Sequence, residues 1–363
     1  MSDVPLVAVT LTWREASSSA RSRAADPSPE LLAGLRNHGV HGLVELHTCA
    51  RSLWLANAEQ AAWVGALLES RVDARVGIPP VLHIGEDAAR HLLRVVVGLD
   101  SYAQGEADIG GQVLAAFDGA RVDGHTSPTM NLLQQSAARL VAEGRERGFV
   151  RQNRGLAAQA VAALVARGVD LRKVAVLGSG SIGSRAVASL RNAGGNPTVY
   201  NRTPGPGLLP LGDIAMARHD AAIVCTAGPA RWLKLPHIPL IIDLGLPTQV
   251  ADQPGLIGLD ELLAGDPLKL PASLVRAAED AVEREIGGLC ARIRTAAWQR
   301  GLGGAHALRD RFLEDELDGL LAPAMADLSV DQQRKVREAT RGALRQYNHR
   351  VLTWIKQDLD PNA

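Results

Sequence analysis

The stretch His47-Thr48-Cys49-Ala50-Arg51 sets a thiol at the end of an apolar run, Leu43 to Leu46. A hydroxyl lies one residue before the thiol and a guanidinium two residues after it. Thiolate is the nucleophilic form of cysteine, and fixed positive charge nearby favours it. Cys49 is therefore a candidate nucleophile, expected in a thiolate-favouring setting. The competing assignment is a small buried apolar side chain at a strand end. A second cluster runs from His91 through Gly98, Ser101, Gly105, Glu106 and Asp108 to Gln112. Here a helix carrying His91 leads into a polar loop and then into a helix capped by Asp108. Ser101, Glu106 and Gln112 can converge on a polar ligand. His91 suits acid–base work near neutral pH, or else is a satisfied core residue.

A third set, Gly178-Ser179-Gly180-Ser181-Ile182-Gly183, follows an apolar run and opens a helical segment. In that context a G-x-G-x-x-G turn brings backbone N–H groups against a pyrophosphate at a helix N-terminus. The next strand ends in Asn201-Arg202-Thr203. An acidic residue there would bind a ribose 2′-hydroxyl. A neutral and cationic set suits a 2′-phosphate, so the expected cofactor is NADPH.

These residues need elements to hold them. Val4 to Thr12 reads as a buried strand, Arg14 to Asp26 as a polar loop, and Pro27 to Asn37 as helical. Leu43–Leu46 and Leu53–Ala56 are short strands on either side of the cysteine turn. A helix at Ala61–Leu68 and a strand at Val81–His83 complete the βαββαβ order of a ferredoxin-like fold. Helices follow to about residue 168, among them Ala88–Val97, Gly110–Arg121 and Met130–Arg145. From Lys173 the chain alternates strand and helix, with strands at Thr198–Asn201, Ala221–Thr226 and Leu240–Leu244, which is the pattern of a doubly wound Rossmann sheet. From Pro271, Val275, Val282, Ile286, Leu289 and Ile293 make one apolar stripe on a spine helix of about 30 residues. Gly301–Gly304 is expected to break it. A further helix spans Arg309–Leu321. The last begins with a capping box, Ser329 with Gln332, and carries Val336, Leu344, Tyr347, Val351 and Ile355. The expected fold is α/β and multidomain: residues 1–155 a catalytic and substrate domain, 156–268 a Rossmann NADP-binding domain, and 269–363 a spine helix with an all-helical dimerisation domain.

Among 363 residues, 46% are hydrophobic, 21% charged and 3% aromatic, so the core is aliphatic and ample. The formal net charge is zero, so any nucleic-acid contact must be a local patch. The basic last helix, with Arg334, Lys335, Arg337, Arg341, Arg345 and Arg350, is the candidate patch; an ordinary solvated face is the alternative. Cys49, Cys225 and Cys290 are far apart, which points to a reducing compartment and no metal site. No run is long enough to span a membrane, and the N-terminus has no signal pattern, so a cytoplasmic protein is expected.

Together these motifs resemble the glutamyl-tRNA reductase family. The resemblance rests on Thr-Cys-x-Arg, His-Leu-x-Arg-Val-x-x-Gly-Leu-Asp-Ser…Gly-Glu, the nucleotide fingerprint with Asn-Arg-Thr, and the spine helix with its helical tail. It implies that Cys49 attacks the ester of charged tRNA to form a thioester, which NADPH reduces to glutamate-1-semialdehyde for tetrapyrrole synthesis. It puts Thr48, Ala50, Arg51, Ser101, Glu106, Ala107, Asp108 and Gln112 at substrate-binding positions. His91 falls at a histidine important for activity, and His83 at a second family histidine. The implied partners are charged tRNA, a second copy of the chain joined through the C-terminal helices, and a semialdehyde aminomutase. The sequence departs from the family pattern at Ala50 and Leu53, where the family has Asn and Glu, and at Ala107-Asp108, where it has Pro-Gln. These departures leave open a paralogue acting on another aminoacyl-tRNA or acyl thioester, and a non-catalytic tRNA- or partner-binding protein on the same scaffold.

Overall fold

Strand β1 (Leu6–Thr12) is buried at every position and forms the spine of an antiparallel sheet with β2 (Val40–His47), β3 (Arg51–Ala58) and β4 (Val81–Ile84). The sheet order is β2-β3-β1-β4. This is the ferredoxin-like arrangement expected from the element order. Thr12 pairs with Arg51 and His47 with Ser52, so the ends of β1 and β2 and the start of β3 meet at one edge. A computed structural model describes residues 4–25, 35, 39–151, 155–203, 205–265 and 267–358. The helix expected over Pro27–Asn37 lies outside these residues, apart from Leu35, which is buried.

Helices α1 (Ser18–Ala25) and α2 (Ala61–Val76) precede β4 along the chain. After it come α3 (Glu86–Val96), α4 (Asp108–Val122), α5 (Pro128–Glu146) and α6 (Leu156–Ala166). Helix α1 corrects the loop expected over Arg14–Asp26. Its buried face is built from Ala20, Arg21 and Ala24, which give no large-apolar signal in the sequence. Its start is secured from outside: Asp260 accepts hydrogen bonds from Ser18 N (2.7 Å) and Ser18 Oγ (2.9 Å).

The second sheet is parallel throughout, in the order β10-β9-β8-β5-β6-β7. Its members are β5 (Val174–Leu177), β6 (Thr198–Asn201), β7 (Leu209–Pro210), β8 (Ala221–Val224), β9 (Ile241–Asp243) and β10 (Leu256–Ile257). Counted from β5, this is the 3-2-1-4-5-6 order of the doubly wound Rossmann sheet. Helix α7 (Ser181–Asn192) follows β5, and the short α8 (Leu259–Leu262) follows β10. Strands β5 and β8 are apolar and wholly buried because α6 and α7 cover one face and the segments carrying Ile214, Leu233, Leu235, Ile238 and Val250 cover the other.

The chain divides into two compact units, Met1–Ile286 and Gly287–Ala363, and both sheets belong to the first. Helix α9 (Ala272–Arg311) has 40 residues, about 60 Å at 1.5 Å per residue, and buries Val282, Ile286, Leu289 and Ile293. The break expected at Gly301–Gly304 does not occur. None of those glycines takes a positive φ, and a mid-helix glycine costs only about 1 kcal/mol against alanine. A π-helical turn at Phe312–Glu316 leads into α10 (Leu317–Leu321). Helix α11 (Val330–Asp358) starts with the expected capping box. Ser329 N donates to Gln332 Oε1 (2.9 Å), and Gln332 N donates to Ser329 Oγ (3.4 Å). Among the described residues no helix is long and apolar enough to cross a membrane.

Candidate active site

The thiol sits on the three-residue turn between β2 and β3. Thr48 closes this turn: its backbone N donates to Arg51 O (2.8 Å), and its Oγ1 accepts from Ala50 N (3.3 Å) and Arg51 N (3.2 Å). A threonine hydroxyl that replaces a backbone acceptor in this way is a reason for threonine at this position. Two outside contacts fix the turn. Trp13 N donates to Ala50 O (2.9 Å), and Arg21 Nη2 donates to Cys49 O (2.7 Å). The Cys49 side chain packs against the apolar cluster of the parallel sheet, beside Ala157 and Ile182.

The polar loop before α4 is pinned from both sides. Gly105 has φ +77°, and a Cβ there would stand 2.4 Å from Phe149 O, so only glycine fits. Arg151 N donates to Gly105 O (2.7 Å), and Ala107 N donates to Arg151 O (3.1 Å). The loop thereby holds Glu106 and Asp108 toward a cleft of about 590 Å³. Thr48, Cys49, Ala50, Arg51, Glu106, Asp108 and Gln112 all line this cleft, which brings most of the expected substrate-site residues together. Ser101 does not line the cleft: it is buried, and its Oγ has no hydrogen-bond partner among the described residues; Ala107 is buried in the pinned loop. Asp108 is not the cap of α4 that the sequence suggests; Ala107 holds that position. Asp108 lies in the first turn, and its carboxylate pairs with Arg185 of α7.

The cleft also has walls that the motifs did not reveal. Tyr102 comes from the polar loop and Ile109 follows Asp108, but Leu156, Ala157 and Gln159 of α6 carry no sequence signal. Arg185 lies one helical turn beyond Ile182, and both reach the cleft from the helix that follows the glycine turn. Gln159 is buried, with no hydrogen-bond partner for its Nε2 among the described residues.

Electrostatics in the cleft reverse one expectation. Burial pushes the Cys49 thiol up to about 12, and Glu106 adds to the effect; Arg21, the thiol's own backbone N–H and Arg51 oppose it without prevailing. The resting side chain is a thiol, because desolvation outweighs the cations that the sequence places beside it. Glu106 is pushed up to about 7, chiefly by burial, with Arg51 pulling against it. Arg51 is 1% exposed. Its Nη2 donates to Asp100 O (2.7 Å), and its Nη1 has no partner among the described residues.

His91 does not line the cleft. It stacks on His83 with ring centroids 4.1 Å apart, and its Nδ1 lies 3.7 Å from Asp100 Oδ2. Burial, with His83 next, holds it well below its ordinary range, so it is neutral at pH 7 rather than poised there. Asp100 links this pair to Arg51, its carbonyl on the guanidinium and its carboxylate toward the imidazole.

The glycine turn fits a dinucleotide. A Cβ on Gly183 would meet Gly178 O at 1.9 Å, so the helix packs directly on the turn, whereas the space around Gly180 is open for an approaching ligand. Ser179 and Ser181 complete the turn at the start of α7. Asn201 accepts from Ser179 N (3.4 Å) and donates to Thr203 O (3.0 Å), while Arg202 is exposed beside them. Among the described residues no group of three His, Cys, Asp or Glu side chains could hold a metal. On α11, Arg334, Lys335, Arg337 and Arg341 pair with Asp331, Glu338 or Asp318, which reduces the free positive charge of that helix.

An antiparallel domain whose cysteine turn shares a cleft with the helix after the glycine turn of a Rossmann-like parallel sheet defines an α/β class. The sequence matches the family Glutamyl-tRNAGlu reductase, N-terminal domain, over residues 9–147. It is 29% identical over 379 residues to Glutamyl-tRNA reductase of Pyrobaculum neutrophilum, covering 96% of this chain and 90% of that one. With Glutamyl-tRNA reductase 2 of Nocardioides sp. it shares 34% identity over 241 residues, 59% of this chain and about half (52%) of the relative. A solved Glutamyl-tRNA Reductase from Methanopyrus kandleri aligns with 99% of this chain and 100% of its own, at 21% identity and a TM-score of 0.49. The chain belongs to the glutamyl-tRNA reductase family.

Proposed function

We propose that this protein reduces glutamyl-tRNA to glutamate-1-semialdehyde through a thioester on Cys49, using NADPH. The observation that carries the reading is the cleft itself, in which the Cys49 turn, Arg51 and Glu106 face Ile182 and Arg185 of the nucleotide helix. Arg51, buried with Nη1 unpaired, can grip a substrate carboxylate or carbonyl through charge-assisted hydrogen bonds. Thr48 and Ala50 present the turn on which the acyl carbon is attacked. As the C–S bond forms, the sulfur proton becomes acidic and passes to Glu106, which returns it to the departing ribose oxygen of the tRNA. Splitting the reaction at a thioester makes two easier steps of one hard acyl reduction. Gly178, Ser179, Gly180, Ser181, Ile182 and Gly183 would hold the pyrophosphate, and Asn201, Arg202 and Thr203 the adenosine 2′-phosphate. NADPH, when bound, supplies the hydride that converts the thioester to aldehyde and frees the thiol. His91 supports Arg51 through Asp100 and keeps the site behind it dry.

The protein would act in the cytoplasm as a homodimer. A second copy would cover the apolar side chains exposed in the C-terminal unit, including Leu308, Leu320, Tyr347 and Trp354. Arg345 and Arg350, which form no ion pair among the described residues, remain for tRNA phosphates, and an aminomutase would receive the aldehyde. Asp108 and Ala50 favour weighing one further reading, in which a different acyl group occupies the same cleft. The test is NADPH oxidation with aldehyde trapping, on glutamyl-tRNA and then on other charged tRNAs. Turnover on glutamyl-tRNA, lost in Cys49→Ser with NADPH affinity unchanged, is the expected result. Residual reduction by Cys49→Ser would overturn the thioester, and turnover on another charged tRNA alone would reassign the substrate.

A further inference from the structure

Arg21 comes from the stretch that reads as a polar loop, yet its side chain is 0% exposed. Burying a guanidinium is costly unless its donors are used. Its Nη2 donates to Cys49 O at 2.7 Å and its Nη1 donates to Ala16 O. The cation therefore spans from the turn between β1 and α1 to the carbonyl of the reactive residue, with Nη2 3.9 Å from Asp260 Oδ1. Asp260 lies on α8 at the far end of the parallel sheet, and the same carboxylate holds the first turn of α1 through Ser18. One continuous set of contacts thus runs from the nucleotide-binding half, through Asp260 and Arg21, to the backbone of Cys49.

We propose that Arg21 is a positioning residue for Cys49: it fixes the carbonyl of the thiol turn, and Asp260 couples that grip to the parallel-sheet half. This rests on the reading of Cys49 as the reactive thiol, but its test does not depend on reductase turnover. The geometry gives Arg21 two roles, one mechanical and one electrostatic. Mechanically, a rigid planar fork holds two carbonyls in fixed register, which a flexible ammonium does less firmly. Electrostatically, its charge opposes the burial that disfavours thiolate at Cys49.

The two roles separate this proposal from simple packing. If Arg21 only filled space, replacing it would loosen the turn and speed alkylation of Cys49. If it positions and polarises the thiol, a neutral replacement slows alkylation. The experiment uses the full chain and iodoacetamide between pH 8 and 10, with the rate at each cysteine read by peptide mass spectrometry. Arg21→Gln is expected to slow Cys49 alkylation fivefold or more, leaving Cys225 unchanged. Arg21→Lys, which keeps the charge, is expected to restore most of the rate. Asp260→Asn, which leaves Arg21 in place, guards against a variant that fails to fold and is expected to change the Cys49 rate without changing that of Cys225. Faster or unaltered alkylation of Cys49 in Arg21→Gln, or equal rates in Arg21→Gln and Arg21→Lys, would overturn the assignment, as would an unaltered Cys49 rate in Asp260→Asn. Absent turnover on every charged tRNA, with these alkylation results intact, would count against the proposed reaction alone.

Discussion

Replacing Glu106 by glutamine should stabilise the protein in alkali while disabling it. Glu106 is an acid raised from 4.5 to about 7, chiefly by burial. A carboxyl whose folded pKa is raised binds its proton more tightly in the fold than in the unfolded chain. Stability therefore falls as pH rises from the unfolded value through the folded one. At 1.36 kcal/mol for each pH interval, the ionised carboxylate costs the fold on the order of 2–3 kcal/mol more at pH 8.5 than at pH 5. Glutamine keeps the size and polarity of the protonated acid and cannot ionise, so Glu106→Gln should lack this slope. Urea unfolding of both proteins at pH 5 and pH 8.5 measures it. The variant should nearly match the parent at pH 5 and exceed it by roughly 2 kcal/mol or more at pH 8.5. The thiol should respond as well: removing a negative neighbour eases ionisation of Cys49, so alkylation speeds up. Acyl transfer, which on the proposed mechanism uses Glu106 as proton acceptor, should slow. A variant with the same stability difference at both pH values, or slower alkylation, would refute the account of the buried acid.

Two other substitutions test parts of the molecule remote from the thiol. Arg202→Ala should weaken NADPH binding by about tenfold to a hundredfold, the worth of a charge-assisted contact, and leave NADH binding nearly unchanged; fluorescence titration with both nucleotides measures the ratio, and an equal loss for both would remove Arg202 from the 2′-phosphate. Gly304→Ala should stabilise the long helix by about 0.5–1 kcal/mol, since a Cβ there meets open space, and a lower midpoint in thermal unfolding would contradict an uninterrupted α9.

Much of this architecture is legible in the chain because it rests on periodicity and turn chemistry. The βαββαβ order, the glycine turn between β5 and α7, and the Ser329–Gln332 capping box follow from local patterns, and the structure has all three. Helix α1 is hidden because small alanines and a buried arginine make its inner face, and its cap, Asp260, lies 242 residues away. The continuity of α9 is hidden because glycine marks helix ends only when the chain uses its freedom, and here it does not. At the cleft, residue types were readable but their environment was not. Arg51 beside Cys49 suggests a thiolate until the depth of burial is known. His91 looks poised near neutrality until its stacking on His83 is seen. Gln159 and Arg185 reach the cleft only through the docking of the parallel-sheet half, which no local pattern encodes.

The cleft's charges bear on the departure at Asp108. An unpaired aspartate there would repel an anionic acyl group. Burial raises the Asp108 carboxyl, and Arg185 of α7 both lowers it and neutralises it as a direct partner. What remains facing a ligand near pH 7 is the Arg51 guanidinium against a half-ionised Glu106, a balance short of about half a negative charge. A carboxylate-bearing acyl group fills that shortfall, whereas a cationic one does not. Under the proposed function the exchange of an amide for Asp108 thus need not change the sign of the substrate. It moves the compensation onto the nucleotide helix, so that the charge balance of the acyl site depends on a residue one turn from the cofactor turn.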